Sequence, residues 1–337
     1  MKKVVIVTDT WLENISGVVT SIKLTKKGLE KRGYKVFIIH PGQFPNLPLP
    51  YEREIRMAIF PQMKIRKMLK EITPDYIHIA TEGMLGFATR MLCVRNNWKF
   101  TTSYHTRLPE YIAIRVASYL KKTTYSYLRW FHSKSQKIIV GTDSLKEELG
   151  KKGFKNVTAF PMGIDLKIFK RNTSAKMPKN LKHPIFVFLG RVAPEKNIES
   201  FLKCDLPGSK LIIGDGHDRE KLEEKYGHET VFVGYKEGKA LVDLLSISDV
   251  FVFPSKTDTF GLVILEALAC GLPVAAYDVQ GPNDIITNGV DGYLGDDLAS
   301  SAKKCLELKR TDCRKTAIKN SGDFYVEEFI QEAMIHI

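Results

Sequence analysis

A chain of 337 residues exceeds what one hydrophobic core of ordinary size accommodates, so two domains are the first expectation. With 44% hydrophobic and 26% charged residues, disordered and fibrous classes are excluded. The net charge of +13 is unevenly placed: residues 1–170 hold 30 Lys and Arg against 13 Asp and Glu, net +17, and residues 171–337 hold 21 against 25, net −4. A basic first half suggests a polyanionic partner, a nucleic acid or an anionic membrane face, although plain solubility explains the charge equally well. No apolar run reaches the ~18–20 residues needed to span a bilayer. The N-terminal run in MKKVVIV stops at Thr8 and Asp9, too short for a secretory leader. Five cysteines without a CxxC pair argue against a zinc site or a disulfide scaffold, and fit a reduced, cytoplasmic setting.

In chain order, VVIVT (4–8) reads as a buried strand, followed by a polar loop with Gly17. A helix follows with Val18, Ile22, Thr25 and Leu29 on one face, stopped at Gly33. VFII (36–39), IHIA (77–80), FTTSY (100–104) and KIIVG (137–141) repeat the strand pattern with helical segments between them. Residues 171–184, polar and carrying two prolines, read as a linker. The alternation then restarts with IFVFLG (185–190), KLIIG (210–214), VFVG (231–234), DVFVFPS (249–255) and PVAAYD (273–278), and 311–335 is helical in pattern. This predicts an α/β protein of two Rossmann-like, doubly wound domains, with ligands expected at the carboxyl ends of the strands, in a cleft between them.

Several segments at those strand ends could carry chemistry. GRVAPEKN (190–197) joins a strand to a helix, so that Arg191 and Lys196 could meet a diphosphate near a helix N-terminus; a solvated loop is the plainer alternative. GDGHD (214–218) is a glycine turn in which Gly214 could approach a nucleotide, or simply turn the chain. In KTDTFGLVILEALACGLPVAA (256–276), a helix is expected from about Phe260. The amides of Phe260, Gly261 and Leu262 would face a phosphate or sugar oxygen, with Asp258 and Glu266 offered to hydroxyls; an ordinary cap and an exposed helix glutamate are the alternatives. His105 in SYHT lies just past a strand, and Gly17 would let backbone approach an anion.

Taken in order, TDTWLENISGVVTS, SYHTRLPEY, GTDSLKEEL, MGID, GRVAPEKN, GDG, TDTFGLVILEALACGLPV and GPNDII resemble the retaining glycosyltransferases of family 4 over nearly the whole chain, and the wording of the last long motif is similar to a branch of mannosyltransferases and glycolipid-forming enzymes. The resemblance implies the GT-B fold: an acceptor domain over 1–170, a nucleotide-sugar donor domain over 171–312, and a C-terminal helix, 313–337, packing back toward the first domain. It implies that Arg191 and Lys196 bind the donor diphosphate, Glu266 the ribose, His105 the donor sugar, and that Gly17 lies near the distal phosphate. The family's Glu-x7-Glu appears as Asp258-x7-Glu266, one methylene shorter at the first acid. The implied reaction moves a hexose from GDP-mannose or a UDP-hexose to an acceptor hydroxyl with retention. It takes place at the front face, the leaving phosphate accepting the acceptor proton, and no metal or other cofactor is expected. A GT-B epimerase or phosphorylase, and a nucleic-acid-binding protein, are the alternatives.

Two segments suggest peripheral docking on the inner membrane face and a lipid or glycan acceptor. MKIRKMLKEI (63–72) sets Lys64, Arg66, Lys67 and Lys70 among Met63, Ile65, Met68 and Leu69. Residues 114–134 interleave Arg115, Lys121, Lys122, Arg129 and Lys134 with Tyr119, Tyr125, Tyr127, Trp130 and Phe131, though these aromatics could equally be core.

Overall fold

The computed structural model describes residues 1–10, 16–49 and 52–337; residues 11–15, within the first motif, lie outside them. The chain forms two compact units. The first comprises Met1–Ala113, Ala117–Gly163 and Gly322–Ile337, and the second Ile114–Val116 and Ile164–Ser321.

The first unit is built on β1 (Lys3–Val7), β2 (Lys35–Ile39), β5 (Tyr76–Ile79), β6 (Thr101–Ser103), β7 (Ile138–Val140) and β8 (Val157–Ala159), with a ribbon of β3 (Asn46–Leu49) and β4 (Glu52–Ala58) inserted between β2 and β5. The six strands are parallel in the order β2-β1-β5-β6-β7-β8, whereas β3 and β4 pair antiparallel. Val4, Val5, Ile6 and Val7 are buried, as a strand covered on both faces requires. The chain leaves β1 for β2 on one side and then crosses to β5 on the other. The order therefore reverses between β1 and β5, the place where open α/β sheets take their ligands.

The second unit repeats the plan with β9 (Ile185–Leu189), β10 (Ser209–Ile213), β11 (Thr230–Phe232), β12 (Val250–Phe253), β13 (Val274–Ala276) and β14 (Gly292–Leu294). The order is β11-β10-β9-β12-β13-β14, all parallel, reversing between β9 and β12. Phe186 and Phe188 join Phe201, Ile212, Val250 and Val252 in one apolar cluster, while Ile185 and Val187 are buried as well.

The strand expectations match these elements to within a residue or two, and four strands went unread: the β3–β4 ribbon and the edge strands β8 and β14. The units divide at Gly163, ahead of the expected 170/171 break, because Ile164 N already donates to Asn320 O at 3.0 Å and Arg314 Nη1 to Phe169 O at 2.9 Å. The helical C-terminal stretch resolves into Arg310–Lys319 in the second unit, then Gly322–Glu328 and the wider turn Phe329–Ala333 in the first. The last two pack on the helix Gly17–Lys31. Tyr325 Oη and Ser21 Oγ are 2.9 Å apart, and a Cβ on Gly28 would meet Val326 Cγ2 at 2.4 Å.

Candidate functional site

In the second unit, the site residues collect where the strand order reverses. After β9 the chain turns at Gly190 (φ +150°), and the Arg191 guanidinium reaches forward to Glu195, Nη2 to Oε1 2.9 Å. Pro194–Lys196 forms a tight turn ended by Asn197 in the left-handed region, followed by the short helix Ile198–Leu202. Asn197 Nδ2 donates to Pro254 O at 3.1 Å, and Ser255 and Thr257 hydroxyls donate to Glu195 O at 3.3 and 3.2 Å. These bonds draw the loop after β9 against the loop after β12. The contact ends in an ion pair, Lys196 Nζ to Asp258 Oδ1 at 2.5 Å, while Asp258 Oδ2 is buried without a hydrogen-bond partner.

Gly214, just past β10, lies against the first of these loops. A Cβ there would stand 1.8 Å from Gly190 O, and one on Gly216 would stand 2.5 Å from Val192 O. Only glycine lets the two backbones approach so closely.

The helix expected from about Phe260 begins at Leu262 and runs to Ala269. Gly261 caps it at φ +87°, Phe260 is buried ahead of it, and Gly281 packs on Asp258 O. Glu266 is not an exposed helix residue: its side chain is buried, and burial pushes its carboxyl up to about 8. In the second unit the structure therefore gathers Arg191, Lys196, Gly214 and Asp258 at the loops after the strands, with Phe260, Gly261 and Leu262 leading into the next helix and Glu266 buried within it.

The first unit carries the other two expected residues. His105 follows β6, and burial holds its imidazole down to about 4, so it is neutral at pH 7. Gly17 is the first residue of its helix rather than part of the preceding loop. Ser16 caps that helix, accepting from Val19 N at 3.2 Å. The reason is local: a serine at the cap followed by Val18, Val19 and Ile22 starts the helix at once.

Other titratable groups here escaped the sequence reading. His78, paired in register with Thr101, bridges Thr101 Oγ1 (2.9 Å) and Ser103 Oγ (3.0 Å). The Thr101 hydroxyl gives its one proton to Ala333 O at 2.7 Å, so Nδ1 of His78 donates to Thr101 and Nε2 accepts from Ser103. Burial, and the charge of nearby His105, hold His78 down to about 3. Asp9 follows β1, at the reversal between β1 and β5. It accepts from Leu85 N (2.7 Å), Gly86 N (3.2 Å) and Thr81 Oγ1 (2.9 Å), so its carboxylate closes the N-terminus of the helix Met84–Arg95. Burial raises it to about 6 despite those bonds. An acid directly after a buried strand was the available signal.

The two basic segments divide. In the helix Gln62–Ile72, Ile65 and Leu69 are core, while Met63 is 86% exposed beside exposed Lys64, Arg66, Lys67 and Lys70. In 114–134, Tyr125 and Phe131 are core residues, Tyr127 is half-buried, and of the five aromatics only Tyr119 and Trp130 face outward. Among the described residues no helix is long and apolar enough to cross a membrane, and no group of three or more His, Cys, Asp or Glu could hold a metal ion.

Two parallel, doubly wound units with their polar residues at the switch points define a GT-B fold. The profile described as Glycosyltransferase Family 4 matches residues 15–168 and that of Glycosyl transferases group 1 matches 169–320; the chain belongs to this glycosyltransferase family. A sulfoquinovosyl transferase of Arabidopsis thaliana is 29% identical over 80% of the chain, which spans 55% of that relative's length. An alpha-monoglucosyldiacylglycerol synthase of Acholeplasma laidlawii is 28% identical, over 84% of each chain, and a GDP-mannose-dependent alpha-mannosyltransferase of Mycobacterium tuberculosis is 26% identical over 87% of this chain and 83% of its own. Among solved structures, sucrose-phosphate synthase from Thermosynechococcus elongatus shares the fold with a TM-score of 0.75 at 21% identity, over 97% of this chain and 94% of the other.

Proposed function

We propose that this glycosyltransferase moves a hexose from a nucleoside diphosphate sugar to a hydroxyl of a lipid or glycan acceptor, with retention at the anomeric carbon and without a metal. The observation that carries the donor half is the convergence of Arg191 and the Lys196–Asp258 pair at the loops after β9 and β12, with Glu266 buried in the helix that follows. As the glycosidic bond breaks, negative charge grows on the diphosphate. Two cations held by buried or half-buried carboxylates are already oriented to meet it, which lowers the barrier rather than merely tightening binding. Asp258 Oδ2 has capacity for one hydroxyl, and Glu266 for the ribose. Neutral His105 takes the donor sugar on the first unit, with Gly17 near the distal phosphate.

The glucolipid-forming and mannosyl-transferring relatives support a hexose donor and a lipid acceptor, and none of the three is named an epimerase or a nucleic-acid-binding protein. The exposed basic face of Gln62–Ile72 supports reversible docking on an anionic leaflet from the cytoplasmic side. A panel of UDP- and GDP-hexoses screened for thermal stabilisation, then for turnover with the product anomer read by NMR, tests the reading. Stabilisation by none of them, or an inverted product, defeats it.

A further inference from the structure

The carboxyl edge of the first sheet holds a second acid, outside every role assigned above. Glu82 follows β5 and precedes the helix Met84–Arg95; its side chain is only 9% exposed. Its Oε1 stands 3.4 Å from Nε2 of fully buried His132, and neither atom has a hydrogen-bond partner. His132 is steadied from behind by Nδ1 against Thr102 Oγ1 at 2.8 Å, and the Glu82 backbone by Tyr127, whose hydroxyl donates to Glu82 O at 2.7 Å. A nine-tenths-buried carboxylate whose Oε1 is turned onto an imidazole without a hydrogen bond is costly unless a further donor arrives.

The chemical class of that donor follows from the neighbouring charges. The amides that would draw an anion to this helix N-terminus are already taken by Asp9. Asp9 and Glu82 converge on Tyr127, whose phenol is pushed up to about 12 by burial first and then by these two carboxylates. A phosphate brought here would meet two like charges in a half-buried setting, whereas a neutral hydroxyl would give Glu82 the donor it lacks. Arg90 also acts on that phenol, but its guanidinium already donates to Phe131 O and Trp130 O, each at 2.8 Å; four further basic side chains of this half are exposed on the helix Gln62–Ile72.

We propose that Glu82, braced by His132, is an acceptor-binding residue of the first unit and takes a neutral hydroxyl-bearing group, such as the polyol end of an acceptor, rather than a phosphorylated one. This rests on the glycosyl-transfer reading. In that reaction the acceptor oxygen bonds to the anomeric carbon, the carbon–oxygen bond to the diphosphate breaks, and the acceptor proton leaves on the diphosphate oxygen.

The test uses whichever UDP- or GDP-hexose the wild-type protein consumes, with free glycerol and glycerol 3-phosphate as competing acceptors against water. Wild type is expected to yield hexosyl-glycerol by mass spectrometry, at least fivefold in preference to the phosphorylated product. Glu82→Gln is expected to shift the partition at least fivefold toward hydrolysis, with nucleotide affinity by calorimetry unchanged within twofold. Should Glu82→Gln fail to fold, Glu82→Asp, which withdraws the carboxylate by one methylene, is expected to shift the partition the same way. An unchanged partition in the folded variant, or equal or greater use of glycerol 3-phosphate, overturns the proposal, as does the absence of any glycerol product from a protein that hydrolyses its donor. No consumption of any donor by wild type is a different result: it removes the glycosyl-transfer reading itself.

Discussion

Lys196 and Asp258, 62 positions apart in sequence, form an ion pair of 2.5 Å that joins the loops after β9 and β12. The pair orients the ammonium while leaving the second carboxylate oxygen buried and without a partner. Asp258→Asn weakens the hold on Lys196 and is expected to lower turnover. Asp258→Glu keeps the charge and restores the length usual at that position in the family, and is expected to remain active. A folded but inactive Asp258→Glu protein would show that the shorter acid is required for this pair.

Arg191→Ala and Lys196→Ala are each expected to lower kcat by about 100- to 1000-fold, the loss typical of removing one preorganised donor from developing negative charge. Circular dichroism should be unchanged. Wild-type kcat in both variants would remove the diphosphate assignment.

Glu266 gives a pH dependence with a definite sign. Its folded pKa of about 8 lies above the 4.5 usual for a glutamate, so the folded state holds the extra proton between those values. Its contribution to stability is complete below about pH 4.5 and is lost as pH rises through 8. The melting temperature of Glu266→Gln is therefore expected to fall less between pH 5 and 8 than that of wild type. If ribose hydroxyls donate to the ionised carboxylate, nucleotide binding at pH 7 releases a proton, read as a buffer-dependent binding enthalpy in calorimetry. Glu266→Gln should weaken nucleotide binding and abolish that dependence, whereas His105→Ala should chiefly lower kcat.

Gly214→Ala tests the close approach of two turns. The added Cβ would meet Gly190 O at 1.8 Å in a backbone at φ +148°, so that one loop must move. The cost expected is about 2–3 kcal/mol or more, from urea unfolding. Gly190→Ala shares the unfavourable φ but meets only the Phe188 ring, at 3.2 Å, and should cost less. The reverse ranking would contradict the account.

Combining Lys64→Ser, Arg66→Ser, Lys67→Ser and Lys70→Ser is expected to lower co-sedimentation with anionic liposomes at low salt, at about 1 kcal/mol per charge, and high salt should release the wild type. Binding of wild type that ignores lipid charge would transfer the docking role elsewhere.

Most of the fold was legible because buried parallel strands write themselves as short β-branched runs, as in Val4–Val7 and Ile185–Leu189. The β3–β4 ribbon and the edge strands β8 and β14 were not, since their pairing depends on a neighbouring strand rather than on their own period. Among candidate residues, Arg191, Lys196, Asp258 and Glu266 stand in recognisable local wording next to strand ends. Asp9 also follows a strand end, but its role, like those of His78 and Glu82, depends on groups distant in sequence.

By itself the sequence determined the class of the protein and the segments in which its chemistry resides: period, turn residues and motif order are local properties, and short segments carry them complete. Only the tertiary structure decided that Lys196 binds Asp258, that Glu266 is buried and held protonated at neutral pH, that Tyr125 and Phe131 belong to the core, and that Glu82 faces His132. Burial and electrostatic partnership are set by which strands lie side by side, and here that order reverses once in each sheet, bringing together loops that the sequence keeps about sixty to seventy residues apart.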